Sequence, residues 1–357
     1  MKLLRIIFFC LILLGVYFII QKDQINTKDL SSVSNTFREG FDFITAKVHD
    51  LKLTSKKQDT LENVEKPDLK IPNHQALSVH NIEIGNTKES VEKQMGKAQR
   101  STYNEYGAKW YTYHKNYQNF FMVAYDSNHL VAGLYTNQNL VSSKQGIQIG
   151  NSKQSVEKKL GTPLKGIKKG FVLYQMQNNG EYDIYEMDSS YVTVFFDKHN
   201  KNTLTAVQII SKNLEENKKN FYPQSSKRLT KGFEYQLFDL TNAARVKNDL
   251  PPLSWNAQVK VTAQKHSDDM ASHQYFSHTD LNGGSPFDRM KNDGIAFMTA
   301  GENIAEGQIS SVYAHEGLMN SLGHRKNILN NKFDALGVGV AFDQASRPFF
   351  TENFLGN

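Results

Sequence analysis

Apolar and polar positions divide the chain into stretches with different periods. Ile6–Ile20 is an unbroken apolar run behind Lys2 and Arg5. With Leu3 and Leu4 it approaches the ~20 residues that a helix needs to cross a bilayer. No small residues mark a cleavage point near Val16–Ile20, so residues 1–21 read as a signal-anchor, with a cleaved signal peptide as the alternative. The basic flank stays inside and puts everything after it outside the cell. Residues 22–77 are mostly polar and charged and read as a tether. Within them Phe37, Phe41, Ile44, Val48 and Leu51 recur in steps of four and three, the pattern of a short amphipathic helix or, alternatively, of a short coiled-coil seam.

From residue 78 the pattern repeats itself. Asn81–Gly96 and Gly146–Gly161 share ten of sixteen positions at an offset of 65, an internal repeat. Each copy opens with Ile-x-Ile and a glycine turn. Each then predicts a short helix capped by Asn-Thr or Asn-Ser and closed at Gly96 or Gly161. Period-two aromatic segments follow, among them Lys109–Tyr113, Phe120–Tyr125 and Tyr191–Phe196, and predict antiparallel strands. Residues 78–212 therefore read as a duplicated α+β domain, its helices set against a sheet. His114 and His129 read as surface residues. The charged run KNLEENKKN and a Pro-Ser stretch mark 213–232 as a linker.

Over 233–357 the period returns to helical. Phe233, Leu237, Leu240 and Ala244 line one helix, which stops before Pro251-Pro252. Val259, Ala263, His266 and Met270 line a second, capped by Asn256, so His266 reads as a hydrogen-bonded core histidine, and His273 likewise. Ser285 and Pro286 start a further helix as N-cap and first helical residue. Ala335–Phe342 and Pro348–Phe354 predict a hairpin of buried strands.

Composition narrows the picture. The chain has 357 residues, 39% of them hydrophobic, with 16 Tyr and 22 Phe, enough for two folded domains with appendages. A net charge of +6 without basic clusters argues against nucleic-acid binding. Cys10 is the only cysteine, so no intramolecular disulfide forms.

Candidate chemistry collects late in the chain, at His278, Glu302, Glu316 and His324. Two imidazoles and two carboxylates suit a metal ion or an acid/base pair, although no H-E-x-x-H helix presents two ligands on one face. The runs HSDDM, YFSHTDLNGGSPFDRM, AGENIAEG, MNSLGHRKNIL and FFTENFLG, in that order, resemble the bacterial branch of the CAP superfamily. That superfamily groups the cysteine-rich secretory proteins, antigen 5 and plant pathogenesis-related proteins. The resemblance covers 233–357 and implies an α-β-α sandwich with the two His and two Glu in one cleft. The repeat domain is similar to one often found ahead of bacterial CAP domains and, more distantly, to β-lactamase inhibitory proteins.

By that resemblance His278, His324 and Glu302 are the expected metal ligands, with Zn²⁺ the expected cofactor. Glu302 and Glu316 are the expected catalytic pair if the protein is an enzyme. Glu316 departs from the family spacing, and an ordinary solvated helix glutamate is the other reading. Asn242 and Arg245 match the family in structural positions. Three functions follow. The first is a membrane-anchored extracellular module binding metal and a lipid or cell-wall ligand. The second is a zinc-assisted hydrolase of peptide or ester bonds, although no nucleophile elbow accompanies it. The third is an inhibitor-like binder of a surface protein through residues 78–212.

Overall fold

The computed structural model describes residues 64–169, 172–175 and 179–357. The predicted anchor over 1–21, and the amphipathic helix between Phe37 and Leu51, lie outside the described residues. Among the described residues no helix is long and apolar enough to cross a membrane.

In the first half, β1 (Leu77–Val79) leads to α1 (Lys88–Met95), β2 (Arg100–Tyr103), β3 (Lys109–Lys115), β4 (Gln118–Tyr125) and β5 (Val131–Thr136). The chain then runs through β6 (Val141–Ser143), α2 (Lys153–Leu160), β7 (Ile167–Lys169), β8 (Val172–Tyr174), β9 (Tyr182–Met187), β10 (Ser190–Asp197) and β11 (Thr203–Ser211). Seven of these strands form one antiparallel sheet in the order β2-β3-β4-β5-β11-β10-β9.

The two repeated stretches share their local geometry. Thr87 and Ser152 cap α1 and α2 by accepting from Ser90 N and Ser155 N, each at 3.2 Å. Gly96 and Gly161 end the helices at φ 75° and 84°, left-handed values that cost glycine little. Asn86 and Asn151 each accept a backbone N–H three residues back, from Glu83 and Gln148. Val91 and Val156 carry both helices onto one face of the sheet.

The second half begins earlier than its pattern suggests. The stretch expected as linker holds α3 (Lys212–Asn217) and the first turns of α4 (Lys227–Lys247). Ser226 caps α4 by accepting from Leu229 N. Gly232 then lies so close to β2 that a Cβ there would sit 2.0 Å from the Tyr103 carbonyl oxygen. Next come β12 (Ser254–Trp255), α5 (Ala257–His273), α6 (Pro286–Asn292), β13 (Thr299–Glu306), α7 (Ser311–Met319), α8 (Leu322–Ile328), β14 (Ala335–Phe342) and β15 (Pro348–Gly356). The strands pair in the order β12-β14-β15-β13.

This sheet is the middle layer of three. Leu336, Val338, Val340, Phe350 and Phe354 face α4, α7 and α8. On the other face Gly337 and Gly339 let α5 lie directly on β14: a Cβ on Gly339 would come within 2.3 Å of Gln264 N and Ala263 C. Asn242 and Arg245 are structural, as expected. Asn242 exchanges two hydrogen bonds with the Leu253 backbone, and buried Arg245 donates to the carbonyls of Pro251, Ile328, Asn330 and Phe333.

The outer face of α4 and α7 packs on the free face of the seven-stranded sheet. Leu240, Ala243 and Val312 join Trp110, Phe120, Met122 and Phe195 in one core. Both faces of that sheet are thus covered, and most of its aromatics are core.

Candidate functional site

Three of the four expected residues come together. His278 is in the loop after α5, Glu302 on β13 and His324 on α8. Glu302 was not expected on a strand. Its neighbour Gly301 permits the placement, since a Cβ there would lie 2.9 Å from the Phe333 ring.

Glu302 is nearly fully buried and spends both oxygens. Oε1 accepts from His278 Nδ1 at 2.9 Å and Oε2 accepts from Arg289 Nη2 at 2.8 Å. A carboxylate only accepts, so His278 carries its proton on Nδ1 and turns Nε2 outward. Arg289, on α6, also donates to the carbonyls of His278 at 2.9 Å and Gly284 at 3.0 Å. One guanidinium therefore fixes both the loop and the carboxylate. Sequence reasoning missed Arg289: it stands in the quoted SPFDRM run, but nothing in that run separates it from a surface arginine.

The His278 and His324 rings lie 6.4 Å apart, centroid to centroid. Burial lowers the pKa of His324, and the neighbouring His278 lowers it further. The imidazole is thereby kept neutral and able to ligate. Behind β13, Asn303 Nδ2 donates to the His324 carbonyl at 3.2 Å and to Glu352 Oε2 at 3.0 Å. Asn327 Nδ2 donates to the Glu302 carbonyl at 3.1 Å and to Asn303 Oδ1 at 2.9 Å.

Glu316 is not brought to this group, nor is it a solvated helix residue. It is buried on α7, where Tyr135 of the seven-stranded sheet donates to its Oε1 at 2.6 Å. Burial raises its pKa to about 7, against the Tyr135 hydrogen bond and the charge of Lys247. The helix turns this position toward the other domain.

His266 is a core histidine as expected. It is buried, its Nε2 donates to the Ser277 carbonyl at 3.0 Å, and it stands 4.0 Å from Glu302. Burial, foremost, lowers its pKa. His273 departs from expectation: it is exposed and pairs with Asp269 at 2.9 Å, because α5 ends at Gln274 in a left-handed conformation and the packed face stops at Ala271. His129 is exposed, whereas His114 is half-buried, stacked on Tyr117, and pushed down to about 4 by burial and then by Arg100.

As a metal site, the group offers two imidazoles. Among the described residues no three His, Cys, Asp or Glu side chains lie close enough to hold an ion together. Glu302, expected as the third ligand, is instead held in an ion pair with Arg289. Open zinc sites use three protein ligands, so the two imidazoles would seat an ion only with ligand or water supplying the rest of the coordination, and Glu302 orients His278 from behind. Exposed Phe276, Leu281, Phe287 and Leu322 stand on the same loop and helices.

Residues 84–221 match the CAP-associated N-terminal domain, and residues 238–354 match the cysteine-rich secretory protein (CAP) family. "Uncharacterized membrane protein YlbC" of Bacillus subtilis is 28% identical over 292 residues, 76% of this chain and 82% of that protein. YkwD of the same bacterium is 44% identical over 124 residues, 35% of this chain and 47% of its own length. An extracellular protein containing an SCP domain, from Bacillus anthracis, superposes with a TM-score of 0.66 at 28% identity, over 85% of this chain and 100% of that one. A cysteine-rich secretory protein from Staphylococcus aureus shares the fold, with a TM-score of 0.63 at 17% identity over 80% of this chain and 98% of that one.

Proposed function

This chain belongs to the CAP superfamily, a CAP domain preceded by a CAP-associated domain, and from that premise we propose that it is a membrane-tethered extracellular binding module. The observation that carries the reading is the engagement of Glu302. Buried and locked between His278 and Arg289, its carboxylate is set to orient the imidazole rather than to take a proton from a substrate. Glu316, the other carboxylate of the hydrolase reading, is buried against Tyr135. What the site does offer is two imidazoles, with exposed Phe276, Leu281, Phe287 and Leu322 on the same loop and helices.

His278, through Nε2, and His324 would hold a divalent cation such as Zn²⁺. When bound, that ion would supply Lewis-acid attraction for an oxygen of the ligand. Phe276, Leu281, Phe287 and Leu322 would take the ligand's apolar part. An amphiphile of the lipid or cell-wall kind matches both features. The apolar run Ile6–Ile20, the membrane designation of YlbC and the extracellular B. anthracis relative support the location. The matched turns and caps of α1 and α2 support a duplicated origin for residues 78–212.

The test is metal content of the full chain beside a His278→Ala/His324→Ala variant. We expect about one zinc per chain, lost in the variant with the fold unchanged. A wild-type chain that stays metal-free after zinc loading would refute the cation half of the proposal.

A further inference from the structure

Between α2 and β9 the chain leaves the main sheet. Strands β7 and β8 pair only with each other, Lys168 opposite Leu173 and Lys169 opposite Val172. An isolated two-stranded hairpin is marginal in water, so something must hold it. Lys169 does so from its inward side, with Nζ 2.6 Å from Glu215 Oε1 and 2.9 Å from the Lys218 carbonyl. Tyr174, also on the inward side, stacks on Phe221 at 6.2 Å. The hairpin is thus pinned through its inward face.

Its outer side and its far end are different: Leu173 shares the outer face with Lys168, and Val172, though on the face of Lys169 and Tyr174, stays exposed where the hairpin turns. Leu164, Val172 and Leu173 are 37%, 52% and 49% exposed, and Lys165 and Lys168 are exposed beside them. No Asp or Glu occurs anywhere from Lys158 to Gly180, although 36 acidic residues are spread over the chain. Apolar side chains among cations, with no carboxylate to balance them, match an interfacial contact with an anionic bilayer. A folded protein partner fits less well. A stable protein interface buries on the order of 1,000 Å² or more, beyond what three side chains on a narrow hairpin offer, whereas a fluid surface needs no matching shape.

We propose that this hairpin is a membrane-surface contact, with Leu164, Val172 and Leu173 entering the headgroup region of an anionic bilayer and Lys165 and Lys168 lying over its phosphates. It is separate from the histidine pair and rests on none of the chemistry proposed there. It gives a tethered chain a second point of attachment, which fixes how the molecule faces the membrane.

A local probe tests it in the full chain without interference from the N-terminal apolar run. A Cys10→Ser, Leu173→Cys chain carries an environment-sensitive fluorophore at residue 173. It is mixed with phosphatidylglycerol/phosphatidylcholine vesicles, with pure phosphatidylcholine vesicles, and with soluble polyphosphate. We expect a blue shift on the anionic vesicles alone, weakened by salt. Lys165→Gln/Lys168→Gln should lower the contact equilibrium constant about thirtyfold, near tenfold per 1.4 kcal/mol at about 1 kcal/mol per lysine. An unmoved probe on anionic vesicles overturns the proposal, as does an equal shift on neutral ones. A shift with polyphosphate alone also overturns it, by assigning the hairpin to soluble polyanions.

Discussion

At the scale of the residue, buried carboxyls divide into two kinds. Glu302 is ion-paired with Arg289. Glu352, fully buried on β15, meets only neutral donors: Thr241 Oγ1 at 2.6 Å and Asn303 Nδ2 at 3.0 Å. Burial raises its pKa from 4.5 to about 7, the two hydrogen bonds opposing. A group raised in the folded state stabilises most below its unfolded pKa, and that contribution is lost as pH climbs through the folded value. Glu352 should therefore cost about 3 kcal/mol, as an upper figure, between pH 4.5 and 8. Glu352→Gln keeps the shape and removes the charge. Urea unfolding at pH 5 and pH 8 should show a smaller pH difference in the variant. A slope remains, because Glu105 and Glu316 are raised to about 7 in the same way. An unchanged difference would show that Glu352 is not the source.

At the scale of the element, α5 and β14 are an unusually close pair because Gly337 and Gly339 fall on one face and Val338 and Val340 on the other. Gly339→Ala would force a Cβ into backbone atoms of α5, and backbone yields less readily than a side-chain tip. The cost should be roughly 3 kcal/mol, the upper end for overpacking. Gly317→Ala on α7, with nothing within 4 Å, is the matched control, expected to be neutral or stabilising by up to about 1 kcal/mol. Denaturant midpoints decide between them, and equal midpoints would contradict the packing described. The alternation Gly-Val-Gly-Val reads as a strand from local pattern alone. Which of its two faces receives a helix depends on α5, and the pattern does not contain that.

At the scale of the whole molecule, the CAP domain is seated on the preceding domain through its own helices. Beyond the shared apolar core, Arg325 Nη2 donates to Asp197 at 2.9 Å, Asn320 bonds the backbone at Phe196 and Lys198, and Arg100 Nε donates to Asp239 at 2.9 Å. Arg325 lies on α8 next to His324 and Asn320 just before that helix, so the seating steadies the helix that carries His324. Residues 233–357 expressed alone would bare Leu240, Ala243 and Val312 and remove the partner of Glu316. We expect that fragment to bind apolar dyes and to melt below residues 64–357, which should unfold in one calorimetric transition. Two separate transitions in the longer chain, one matching the fragment's, would show the domains to be independent.

The sequence by itself determined the period of each segment, the caps at Thr87, Ser152, Asn256 and Ser285, and the motif order that marks the CAP domain. These are legible because helix period, cap chemistry and glycine turns are set by a few neighbouring residues. It also pointed to His278, Glu302 and His324. It did not mark β13 as a strand, because polar Glu302 and Asn303 are buried there and interrupt the apolar alternation. Nor did it separate Arg289, which bonds Glu302 thirteen positions away, from other arginines. The place of Glu316 was decided only by tertiary structure: one face of α7 turns to a sheet that lies far earlier in the chain, and Tyr135, 181 residues before it, supplies its hydrogen bond. Partners so distant in sequence leave no periodic trace, since they meet only when two independently patterned surfaces bury each other.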